Sequence, residues 1–210
     1  MMKKILLIAI ALLSINAFGQ GKYEKGMMKA FDLWKNGNQW EAANMFERIA
    51  QAEADNWLPP FYVAQINILY SFNEKDEEKL TAQLKKAQDF LNDAKAISKD
   101  NAEILVAQAQ LYTAWVVFDG QRYGMTYSPK IAQLYEEAYK IEPGNPRVAF
   151  GKVEWDLGTA RFFGQDTSEF CDDLTAAVAL FETYEPKGDF HPRGGGDYAK
   201  QSLEQNCKKE

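Results

Sequence analysis

Three stretches of this 210-residue chain share one layout, and that self-similarity limits the fold more than any single motif. They read "FERIAQAEADNWLPPFY", "FLNDAKAISKDNAEILV" and "YEEAYKIEPGNPRVAFG", with Asn56, Asn101 and Asn145 at the same place in each. The three asparagines are 45 and 44 residues apart. Before each lies a segment with paired inward positions: Ala42 and Phe46, Ala87 and Leu91, Ile131 and Tyr135. After each lies a second segment rich in apolar and aromatic residues. A small side chain facing a large one lets neighbouring helices approach and interlock. A chain repeating such a unit builds one continuous core by stacking its neighbours.

The hydrophobic period is helical almost throughout. Leu80, Leu84, Ala87, Leu91 and Ala94 form one stripe at alternating steps of four and three. Ile131, Leu134, Tyr135, Ala138 and Ile141 form another, and Phe170, Leu174, Ala177, Val178 and Phe181 a third. No stretch sustains a period of two, so the fold class is all-α. Ser128-Pro129 predicts a helix start, with a capping hydroxyl before a proline at the first helical position. Asp166 and Glu169 have capping-box spacing. Pro143-Gly144 ends one helix, Pro146 opens the next, and Asp197 to Cys207 reads as a short capping helix.

"Y-x-x-A-x-x-I-E-P-G-N-P" resembles the closing helix of a tetratricopeptide (TPR) unit, and "W-K-N-G-N-Q-W-E-A-A-N-M-F" resembles its turn and second helix. The units here are about ten residues longer than the usual TPR period, with the excess assigned to loops near Phe72–Asp76 and Asp119–Ser128. The chain is similar to a family of small exported bacterial TPR proteins in which "WLP-x-FY", "NPR", an aromatic-Gly turn ("RFFG") and a late "HP" recur in order. Where that family carries "P-x-W-G", this chain has "HPRGGG". The resemblance implies a right-handed superhelix of about four antiparallel helix pairs with a C-terminal capping helix. It also implies a groove that holds peptide segments.

The N-terminus, "MMKKILLIAIALLSINAFGQG", has the form of a secretory signal. Lys3 and Lys4 precede an apolar run from Ile5 to Leu13, and Ala17-Phe18-Gly19 follows. Residues 1–19 are read as a cleaved signal peptide and 20–210 as one helical domain, exported to the periplasm or secreted. Cleavage leaves 22 basic against 30 acidic residues, a net charge of −8. An acidic chain with no basic run is a poor partner for nucleic acid or anionic lipid. No later segment is apolar enough to span a membrane. In an oxidising compartment Cys171 and Cys207 invite pairing, the alternative being two buried free thiols.

The inventory for catalysis is thin. His191 is the chain's one histidine and sits in a Pro- and Gly-rich turn. One histidine and two distant cysteines make no metal site. Asp172-Asp173, Glu77-Glu78 and Glu136-Glu137 read as helix-end or solvated acids, and "RGGG" lacks the lysine and context of a phosphate loop. Neither enzyme, metal nor cofactor is expected. In the TPR frame Gln65, Gln110 and Glu154 take one groove position in three successive units, either as a clamp for an extended peptide or as a plain polar helix face. Phe61, Val106 and Phe150, with Glu103 and Arg147, complete the expected partner groove. Arg122, Tyr123 and Tyr127 are expected as loop contacts, while Phe162 and Phe163 are expected to fold back onto the helices. The leading expectation is a scaffold for a protein or peptide of the cell envelope. A glycan or small-solute binder and a self-associating protein are the alternatives.

Overall fold

The computed structural model describes residues 21–207. The expected signal peptide, residues 1–19, lies outside the described residues. Among those described there are nine α-helices and no strand. They are α1 (21–35), α2 (Gln39–Ala52), α3 (Leu58–Ser71), α4 (Glu77–Ile97), α5 (Ala102–Phe118), α6 (Gly120–Ile141), α7 (Pro146–Phe162), α8 (Cys171–Thr183) and α9 (Gly196–Cys207).

The repeated asparagines do the same work three times. The side chains of Asn56, Asn101 and Asn145 each accept a hydrogen bond at 3.0 Å from a backbone N–H two residues on, those of Leu58, Glu103 and Arg147. Each satisfies a donor that the start of a helix leaves without an intrahelical partner. Asp76 does this for α4, accepting from Glu78 and Lys79.

Packing follows the small–large pairs, and all six residues are buried. From α2 to α9, the contacts between consecutive helices are richest for α5 on α6, then α3 on α4 and α2 on α3. In addition α3 touches α5, and α5 touches α7. These three helices therefore lie side by side and share one face. Gly151 of α7 makes the closest approach: a Cβ there would stand 2.6 Å from Cε1 of Tyr135 on α6.

The start of α6 differs from expectation. Asp119, accepting from the Arg122 N–H, begins the helix nine residues before Ser128-Pro129, and Pro129 lies inside it. Proline in a helix removes one hydrogen bond and presses on the carbonyl four residues back. Here that residue is Met125, and both residues are exposed, so the break falls on the solvent side of the helix. What holds the extra turns is aromatic packing on α5. Tyr127 stacks on Tyr112 with ring centroids 4.8 Å apart, and Tyr123 lies 4.9 Å from Trp115.

The start of α8 also departs from a simple capping box. Asp166 accepts from the Ser168 N–H and hydroxyl, and a 3₁₀ turn over Ser168–Phe170 precedes the helix. Cys171, its first residue, is bonded to Cys207, the last of α9, with Cα atoms 5.6 Å apart.

Candidate functional site

The shared face of α3, α5 and α7 holds the expected groove residues, but the chain covers much of it with its own C-terminal segment. After α8, residues 184–195 run past the N-terminal ends of these helices. Tyr184 lies under the Arg147 guanidinium, 4.9 Å from the ring centroid. Lys187 pairs with Glu142. The Tyr62 hydroxyl donates to the Phe190 carbonyl at 2.6 Å, and the Phe190 ring packs edge-on to Tyr23 at 5.6 Å and flat on Phe31 at 6.1 Å. His191 meets Trp57 edge-on at 5.7 Å. Helix α9 then follows α7: Tyr198 packs on Phe150 at 5.6 Å, Ser202 bonds Glu154, and Arg161 bonds Asn206.

A buried ion pair sits under this segment. Glu103 accepts from Arg147 Nε at 2.9 Å on both oxygens, and from Asn145 Nδ2 at 2.7 Å. The two side chains are only 8% and 13% exposed, so neither charge has water to fall back on. Burial disfavours the Arg147 charge, but the hydrogen bonds and charge of Glu103 outweigh it and hold its pKa above the ordinary value. Burial, reinforced by the Glu103 charge, pushes the Tyr62 hydroxyl well above the usual tyrosine range. His191 moves the other way. Burial, then the positive charge of Lys187, lowers its pKa against the opposing pull of Glu103, and Arg193 adds to the lowering. Its Nδ1 is buried without a hydrogen-bond partner.

These placements correct the expected groove. Phe61, Val106 and Phe150 are buried packing residues, and Glu103 and Arg147 are spent on each other. Gln65 and Gln110 do share one position on adjacent helices, and Gln65 Nε2 donates to Gln110 Oε1 at 3.1 Å. Glu154, the third member, lies under α9. The three do not stand as a free ladder, because two partner each other and the third serves the chain's own tail. Arg122, Tyr123 and Tyr127 belong to α6 rather than to a loop. Arg122 and the Tyr123 hydroxyl both bind Glu77 of α4, so they tie helices together. Phe162 and Phe163 stay 73% and 68% exposed instead of folding back.

Two recesses escaped the sequence reading. One, of about 140 Å³, lies between the tail and the helix starts, with Trp57, Glu103, Glu142, Tyr184, Lys187 and His191 in its wall. The other, open and of about 300 Å³, is lined by Phe31, Trp34 and Lys35 of α1. Their signals were present but weak: an aromatic pair at helical spacing in α1, and an aromatic-His-Pro run that stood out only as a turn and a family motif. Among the described residues no group of three or more His, Cys, Asp and Glu is placed to hold a metal ion, and no helix is long and apolar enough to cross a membrane.

No protein-family model matches the chain, and no curated protein matches it. A solved structure does: the HusA haemophore from Porphyromonas gingivalis superposes with a TM-score of 0.73. The match covers 87% of this chain and 90% of that one, at 22% identity. The chain shares its fold with a haemophore. At that identity the likeness concerns the fold alone.

Proposed function

We propose that this chain is a non-catalytic binding protein of the cell envelope, exported by its N-terminal segment and related to the small exported TPR proteins. In this reading α1/α2, α3/α4, α5/α6 and α7/α8 are the four pairs of a right-handed superhelix, and α9 is the cap. The ligand class that the open surface suits best is a planar amphiphile such as haem, which makes the small-solute alternative specific.

The observation that carries this reading is the recess on α1. Phe31 and Trp34 are half-buried there and Lys35 is exposed beside them. Its volume, about 300 Å³, is at the lower end for small-molecule sites. Because it is open, a flat ring system can lie across the aromatic pair while a carboxylate reaches the lysine. The shared fold with a protein named as a haemophore supports the same class.

The test is a titration of the mature, oxidised protein with haemin, followed by visible absorbance. A saturable change at one equivalent is expected, and Trp34→Ala weakens binding roughly tenfold, the scale of one lost aromatic contact. Absence of a saturable change, or an unaltered affinity in the variant, removes the reading.

A protein partner is the second reading, and a different surface favours it. Phe162, Phe163 and Met125 are exposed, with Met125 at 90%. Phe162 reaches to within 4.0 Å of a Cβ position at Gly120, so its exposed ring lies by the start of α6. An envelope protein retained by the wild type and lost by a Phe162→Ala/Phe163→Ala variant supports this reading; equal retention removes it.

A further inference from the structure

The recess beneath the tail has the features of a cation site distinct from the one on α1. Two carboxylates face it, and both are largely withdrawn from water: Glu103 is 8% exposed and Glu142 18%. Glu103 is answered by the buried Arg147. Glu142 accepts from Asn145 Nδ2 at 3.0 Å and takes its positive partner from Lys187, whose side chain is 69% exposed. An exposed lysine is thus placing its ammonium group on a mostly buried acid. Aromatic rings complete the wall: Trp57 from the start of α3, and Tyr184 and His191 from the tail itself. Tyr184 already holds one cation, the Arg147 guanidinium, against its ring. Aromatic faces combined with carboxylates are the chemistry that attracts organic ammonium ions. His191, kept neutral by burial and by Lys187, adds no opposing charge at neutral pH.

We propose that this recess binds a small organic ammonium ion, and that Lys187 is the internal ammonium the ligand displaces. The volume of about 140 Å³ has room for an ion of several heavy atoms rather than a single water. Displacing Lys187 uncovers a carboxylate that is only 18% exposed, so it proceeds only when another cation takes its place, while the lysine side chain regains freedom in solvent. With Lys187 swung away, the recess carries an unanswered negative charge on Glu142, and a monovalent cation restores neutrality.

The probe is choline, measured by isothermal titration calorimetry on the mature, oxidised protein. Its neutral isostere 3,3-dimethylbutan-1-ol serves as the control. The wild type binds choline but not the alcohol, and Lys187→Ala binds choline roughly tenfold tighter because the internal competitor is gone. A residue with only a structural role predicts no such gain. Glu142→Gln, of the same shape, loses choline binding while its thermal melt stays close to the wild type. The proposal is overturned if Lys187→Ala, folded as judged by circular dichroism, binds choline no tighter than the wild type. It is equally overturned if the alcohol binds as well as choline, or if neither protein binds choline up to about 10 mM. Haemin binding is read separately at Trp34, so failure of either site leaves the other measurable.

Discussion

His191 shows how a single residue can be placed by its surroundings rather than by chemistry of its own. Its ring lies on Trp57, and Lys187, Arg193 and Glu103 are the charged groups acting on it. Burial and the two cations outweigh Glu103, so folding favours the neutral imidazole. The unfolded chain, with an ordinary histidine pKa near 6.5, then binds the proton more readily than the folded one. The contribution is complete above that value and is lost as pH falls below it toward the lower folded-state pKa. Chemical denaturation between pH 7.5 and 5 is expected to show a steeper loss of stability for the wild type than for His191→Gln. Gly151 makes a second point at this scale. A methyl group there meets the buried Tyr135 ring at 2.6 Å, so the ring must shift within its packing. Gly151→Ala should therefore destabilise by about 1–3 kcal/mol, despite alanine's better helix propensity, and the melting temperature reports it.

Elements that the sequence made legible are those whose cause is local. Asn56, Asn101 and Asn145 signal helix starts because each bonds a backbone group two residues away, and the small–large stripes name their own buried faces. The first turns of α6 were not legible. Gly120, Gly124 and Pro129 all argue against a helix, and the packing of Tyr123 and Tyr127 on α5 that overrides them joins residues whose pairing no local pattern announces. Helix α9 lies between these cases: its existence was readable, but its seat on α7 was not. Twelve residues form a marginal helix alone, so its place depends on its contacts and on the Cys171–Cys207 bond. Replacing both cysteines with serine should cost about 3–4 kcal/mol by denaturant titration, given the length of loop released. Hydrogen exchange should rise first in α9 and along the Phe150–Glu154 face of α7. The core of α3 should remain protected.

On the scale of the whole molecule, the groove implied by the repeats is part filled by the chain itself. The sequence places Gln65, Gln110 and Glu154 at equivalent positions. It does not tell that residues 184–207 return over the starts of these helices and over Glu154, because that return depends on contacts such as Phe190 with Tyr23 and Tyr62, which lie far apart along the chain. For that reason several expected groove residues turned out to be internal contacts, while the open surface lies elsewhere, on α1 and around Phe162. The aromatic recess on α1 is the basis for the flat, amphiphilic ligand proposed above. The most direct test is to add paramagnetic ferric haem to isotope-labelled protein and map resonance broadening by nuclear magnetic resonance. Broadening centred on Phe31, Trp34 and Lys35, with the Phe190 contacts intact, is the predicted result. Broadening confined to Phe162 and Phe163, or spread without a centre, would contradict the account.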